Sequence, residues 1–296
     1  MADAILPVLF AIAVWWSSTG ALFLVDRLPR STYVVSVSVA TLLVLVATTA
    51  ILVTANETTA ASAYIGFSAA VMLWAWHEMT FLLGLITGPR KSPCPPAATG
   101  FQRFGFATAT LITHEIAIAV TAVALVALTW GAANQTAAAT FLVLWVMRLS
   151  AKFNIFLGVP NLSDELMPAH LGYLKTYFRK RAMNALFPFS VTVGTIAAYA
   201  IGSAALDDPT NAFALTSGML VSGLLALAVL EHWFLVLPVP DAALWTWAGP
   251  RVETATNHPA GGTEGAANHS LRPRDHDIVK KHTGAAFVPA LMGGNQ

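Results

Sequence analysis

Charge is what this sequence has least of. Only 10% of its 296 residues are Asp, Glu, Lys or Arg, whereas 56% are hydrophobic, and the mean hydropathy is +0.65. A water-soluble domain carries about 25% charged residues, so the composition excludes an ordinary globular fold and identifies an integral membrane protein. Cysteine is nearly missing as well. The single Cys94 excludes an intramolecular disulfide and any cysteine-cluster metal site. The apolar runs show no alternation in short segments, which sets aside a β-barrel, and no internal repeat is visible. A net charge of +1 says little about partners, and nothing points to nucleic acid.

What the chain does have is long apolar runs, at roughly 4–25, 33–54, 62–87, 105–131, 136–158, 186–206 and 212–237. Each is near the ~20 residues that cross a bilayer as a helix. The expectation is an all-α, polytopic bundle of about seven transmembrane helices over residues 1–248. The first run reads as a retained span, because Met1 to Leu9 lacks a cationic region. Short loops at 26–32, 55–61, 132–135 and 207–211 leave no room for soluble domains.

Positive charge is absent from every second loop. Arg27 and Arg30 lie in the first, Arg90, Lys91 and Arg103 in the third, and Lys175, Arg179, Lys180 and Arg181 in the fifth. The N-terminus and the even-numbered loops hold no Lys or Arg. The positive-inside rule then puts the N-terminus in the periplasm and the C-terminus in the cytoplasm. Leu171, Leu174 and Phe178 recur at helical spacing opposite those cations, which predicts an interfacial amphipathic helix near 163–183, with Tyr173 and Tyr177 at headgroup depth and membrane lipids as partners. Beyond residue 248, Gly, Pro, Asn and His dominate, and 249–296 reads as a mostly disordered cytoplasmic tail.

Against this background the ionisable residues inside the runs stand out: His77 and Glu78, His114 and Glu115, Arg148, Lys152 and Asn154, and Glu231 and His232. Counted along straight helices, His77 and His114 each lie about 16 Å from the cytoplasmic end of their spans, with Arg148, Lys152 and Glu231 at about 18, 12 and 10 Å. Side chains that hydrocarbon rejects face the interior and one another, so these groups are expected to converge in the cytoplasmic half of the bundle. Three readings are open. Glu78 and Glu115 can pair with Arg148 and Lys152 in a register-fixing network. His77, Glu78, His114, Glu115, Glu231 and His232 can supply ligands for a divalent metal, although Glu-x-x-His, His-Glu-x-x-His and His-x-x-x-His spacings are all missing. The histidines, framed by Trp74, Trp76, Phe81 and Trp145, can touch a tetrapyrrole or another flat ligand. A retinal Schiff base is excluded, because the seventh run contains no lysine.

Several of these residues sit in longer motifs. His77-Glu78 is followed by Thr87-Gly-Pro-Arg90 and Cys94-Pro95, then by His114-Glu115, by the block KFNIFLGVPN from Lys152 to Asn161, by LMPAHLGYLKTYF from Leu166 to Phe178, and by Glu231-His-Trp233. This combination resembles the PuhE family, photosynthetic complex assembly proteins of purple and related phototrophic bacteria encoded near the reaction-centre H subunit. The resemblance covers roughly residues 5–247 and carries no catalytic residue. It implies a multi-pass protein of the bacterial inner, cytoplasmic or intracytoplasmic, membrane. Such a protein supports reaction-centre and light-harvesting assembly, meets their subunits or pigment-synthesis proteins, and affects bacteriochlorophyll supply. On the same basis Asn161 and His170 join the candidate residues. An integral-membrane metalloenzyme acting on a hydrophobic substrate is the alternative.

Overall fold

The structure, a computed structural model, describes residues 2–162 and 167–238; the expected tail at 249–296 and the segment with Asp164 and Glu165 lie outside the described residues. Among the described residues the chain is all helical, without strands. The helices are α1 (Ala2–Asp26), α2 (Tyr33–Val53), α3 (Ala60–Leu82), α4 (Gly100–Ala109), α5 (Ile112–Leu128), α6 (Thr136–Leu157), α7 (Leu186–Asp207) and α8 (Ala212–Phe234), with 3-10 turns at Arg30–Thr32 and Ala169–Tyr177.

Five of these elements are long and apolar enough to cross a membrane, or six if α4 and α5 together make one bent span. The 23-residue α3 is not among them, for a reason visible in its surroundings. It packs against α1, α2, α5, α6 and α8 and buries residues along its length from Ser62 to Phe81. A helix screened on most sides by other helices does not meet lipid with its whole surface, so it can carry Ser62, His77, Glu78 and Thr80. The peripheral helices show the opposite. On α2 only Ala47 and Ile51 are buried, while Val35, Val39, Leu42 and Val46 face outward as lipid-facing side chains should.

Three expectations need correction. The third run does not continue as a helix to residue 87. It stops at Leu82, where Gly84 adopts φ +74° and the Leu85 amide turns back to the Thr80 carbonyl at 2.9 Å, an end that favours glycine. The fourth run is broken, because α4 and α5 meet at Thr110–Leu111 with a 67° bend. Straight-helix depth counting from Arg103 to His114 therefore fails.

The third correction concerns the basic connector. Its described part is a 3-10 segment, Ala169–Tyr177, and not an α-helix. Three residues per turn aligns Leu171, Leu174 and Tyr177, and these are the buried ones. Their ridge packs on Phe81 and Leu111 instead of lying in lipid. Tyr177 is likewise inside: its hydroxyl accepts from Arg90 Nε at 2.7 Å and donates to the Ser92 carbonyl at 3.0 Å, while Arg103 donates to its carbonyl.

Side-chain clamps hold the helix ends. Thr59 and Ser62 form a reciprocal capping box at the start of α3. Asn134 ties the α2–α3 turn to α6 by donating to the Thr54 and Ser62 carbonyls, both at 3.2 Å. Asn184 joins α6 to α7: its amide donates to the Asn154 and Gly158 carbonyls, and its oxygen accepts from the Leu186 and Phe187 amides.

The break between α4 and α5 is held by the strand of chain that follows α3. The His114 amide donates to the Thr87 carbonyl at 2.9 Å and the Arg90 amide to the Ala109 carbonyl at 3.0 Å. Between these bonds Gly88 lies so close that a Cβ would come within 2.3 Å of the Ala109 oxygen and 2.4 Å of the Thr110 carbonyl carbon. Gly88→Ala is therefore expected to destabilise the folded state towards the upper end of the ~1–3 kcal/mol typical of overpacking. Thermal unfolding in detergent checks this; an unchanged midpoint would mean that the break is not held here.

Candidate functional site

The intramembrane ionisable residues come from the C-terminal ends of α3, α6 and α8 and the N-terminal end of α5, all at one end of the bundle. The structure sorts them into two groups. The first joins α3, α5 and α6. Glu78 Oε2 lies 3.5 Å from Arg148 Nη2, and Glu78 Oε1 lies 3.8 Å from His114 Nε2. Glu115 Oε1 accepts from Lys152 Nζ at 2.6 Å, and Glu115 Oε2 accepts from Trp145 Nε1 at 3.3 Å. His77 Nε2 lies 2.9 Å from the Thr121 hydroxyl.

Local structure explains each placement. The bend after Leu111 starts a new helix, so Glu115 falls in the first turn of α5, where free backbone N–H groups favour a carboxylate. Lys152 follows Arg148 by one turn of α6, so the two cations face α5 and α3 from the same side. His114 is fully buried, with Phe81 tilted over it at 4.6 Å between ring centroids.

The second group joins α6, α7 and α8. Ser150 Oγ lies 2.9 Å from Ser190 Oγ and 3.0 Å from His232 Nε2. Because the Ala228 carbonyl can only accept, its 2.8 Å contact places a proton on His232 Nδ1. Asn154 Nδ2 donates to Ser190 Oγ at 3.2 Å and to the Ser150 carbonyl at 3.0 Å. Asn161 and His170 join neither group. Asn161 donates to the Phe234 and Leu237 carbonyls at the end of α8, and His170 Nε2 caps the Leu82 carbonyl at 2.8 Å.

This division bears on the metal and pigment readings. Among the described residues no three His, Cys, Asp or Glu are grouped to hold a metal ion. His77 and His114 have ring centroids 6.5 Å apart, and His232 belongs to the other group. Of the framing aromatics, Phe81 and Trp74 line cavities and the others are engaged elsewhere. Trp76 donates to Thr41, Trp145 to Glu115, and Trp74 stands edge-on to Phe141.

The open side of the first group is Arg148. Its side chain is 48% exposed, whereas that of its partner Glu78 is 10% exposed. It lines a cavity of about 330 Å³ together with Lys152, Glu231 and an apolar wall that includes Trp15, Phe23, Phe81, Phe156 and Phe234. The 3-10 segment contributes Leu171, Leu174 and Tyr177 to that wall. A second cavity of about 220 Å³ shares Trp15, Phe23, Arg148, Ala151 and Glu231 with the first and adds Trp74 and Glu78. Together they form a cleft between α1, α3, α6 and α8, with charged groups from α3, α6 and α8 in its lining.

Sequence reasoning missed Ser150, Ser190, Thr121 and Asn184, since single hydroxyls and amides in apolar helices carry no distinguishing pattern. It also missed the contribution of α1, whose Trp15, Thr19 and Phe23 line the cleft at helical spacing.

Lys152 and Glu115 are 19% and 13% exposed and form a charge-assisted bond at 2.6 Å. Removing one partner of a buried pair costs about 3 kcal/mol, whereas replacing both by apolar groups is often nearly neutral. Glu115→Gln is thus expected to lower thermal stability, and the double variant Glu115→Leu/Lys152→Met to regain most of it. Additive losses in that double-mutant cycle would show that the pair is not coupled.

The family described as a protein of unknown function (DUF3623) matches residues 1–256. An uncharacterized 30.4 kDa protein in the puhA 5' region of Rhodobacter capsulatus is 38% identical over 252 residues, covering 84% of this chain and 92% of that protein. No solved structure matches the chain significantly.

Proposed function

This chain belongs to the DUF3623 family, and from that membership we propose that it is an accessory factor of the bacterial inner membrane for assembly of photosynthetic reaction-centre and light-harvesting complexes. The position of its relative in the puhA 5' region of Rhodobacter capsulatus, a photosynthesis gene cluster, supports the process. The single structural observation that carries a molecular role is the cleft: an apolar, aromatic-rich cavity inside the bundle with Arg148, Lys152 and Glu231 at its edge. Such concave, mainly apolar sites with a few convergent polar groups are the usual form of ligand sites. In this reading the cleft holds an apolar ligand on its way to or from the complexes, bacteriochlorophyll or a precursor included. The buried network behind it fixes the cleft walls.

Deleting the gene in a phototroph is expected to lower the near-infrared bands of the reaction centre and light-harvesting complexes, with recovery on complementation. Unchanged bands under all growth conditions would refute the assembly role.

The same reading counts α3 and the bent α4–α5 pair as spans, giving seven, with the N-terminus periplasmic. Reporter fusions at residues 57, 133 and 209 should then score periplasmic, and fusions at 94 and 180 cytoplasmic. An inverted pattern would reverse the orientation, and any loop out of alternation would change the count.

A further inference from the structure

The charges around the cleft restrict what it can hold. Its lining carries two cations, Arg148 and Lys152, and two carboxylates, Glu78 and Glu231. Lys152 is committed to Glu115 at 2.6 Å, and Glu78 lies 3.5 Å from Arg148. With Glu115 behind the lining, three carboxylates stand against two cations, so no positive charge is in surplus. An anionic head placed here would meet Glu78 and Glu231 without an uncommitted cation. In a low-dielectric site that arrangement leaves a costly unpaired charge. Donors are nevertheless on offer. A guanidinium has five N–H groups, the Glu78 contact is longer than a hydrogen bond, and the Arg148 side chain is 48% exposed at the wall common to both cavities.

We propose that the cleft binds a neutral, apolar molecule through a carbonyl oxygen that accepts from Arg148, with its hydrocarbon body against Trp15, Phe23, Phe81 and Phe234. Esters and ketones of long apolar molecules meet this description; free acids do not. The proposal rests on the cleft being the ligand site, as in the assembly reading. It is tested on purified protein, so its failure leaves the deletion phenotype untouched, and failure of that phenotype leaves the binding result standing.

Trp15 and Trp74 line the cleft, so occupancy by a quencher is readable as loss of tryptophan emission. The full chain in detergent is titrated with four probes: a dibrominated C18 glyceride, the corresponding dibrominated fatty acid above its titration range, the dibrominated C18 alkane, and an esterified free-base chlorin. Quenching by one or both esters, at least about tenfold tighter than by the acid or the alkane, is expected, since one hydrogen bond to a charged donor contributes roughly that factor. The ester that binds better identifies the source as an acylglycerol or a tetrapyrrole.

Two variants locate the effect. Arg148→Lys keeps a positive charge beside Glu78 but loses the forked donor, and should weaken ester binding while leaving the alkane unchanged. Ala151→Leu places a larger side chain in the wall shared by both cavities and should reduce quenching by every probe. Equal affinity for ester, acid and alkane would overturn the proposal, as would tightest binding of the acid. Ester quenching unaffected by Ala151→Leu in a variant of normal thermal stability would also overturn it, because the probe would then sit elsewhere.

Discussion

A carboxylate that cannot reach water must be given its partners by the protein, and in this bundle the carboxylate is Glu78. It is 8% exposed and sits on a helix that other helices surround. A charge at mid-bilayer costs at least about 2.5–3.5 kcal/mol on an insertion scale, so α3 is unsuited to a lipid-facing position. Placed centrally, it presents Glu78 to Arg148 of α6 and His114 of α5, while α1, α2 and α8 also pack against it. The arrangement of the bundle follows from where that one helix has to be.

The break between α4 and α5 belongs to the same logic. A continuous helix through residues 105–131 would supply no free N–H groups near Glu115. Ending one helix at Ala109 and starting another at Ile112 instead puts Glu115 in a first helical turn, next to Lys152 and Trp145. Exposed backbone inside a bundle has to be satisfied by protein, and the Thr87–Arg90 segment does so with two backbone hydrogen bonds. The close approach this requires is why position 88 has no side chain.

The two polar groups then play different parts. The Ser150, Asn154, Ser190 and His232 group is satisfied mostly within itself and with neighbouring carbonyls, and it binds α6, α7 and α8 into one wall. The Glu78, Arg148, Glu115 and Lys152 group faces the cleft at Arg148 and Lys152, and so gives a mainly apolar cavity a polar edge. The 3-10 segment closes one side of it with Leu171, Leu174 and Tyr177, which is why this connector packs inward when its sequence reads as a lipid-surface helix.

Membrane class, an all-helical fold, most helix positions and the residues of the polar network were legible in the sequence. Hydropathy and the rejection of charge by lipid are properties of each segment taken alone. The convergence of Glu78 and Glu115 with Arg148 and Lys152 could be anticipated for the same reason. What the sequence could not decide was which side of α6 each group would meet, that His232 would bind Ser150 and stay apart from His77, or that α1 would complete the cleft. Those outcomes depend on how each helix is rotated and bent against its neighbours. Rotation and bending are fixed by contacts between residues far apart in the chain, such as Gly88 against Ala109 and Arg103 against Tyr177.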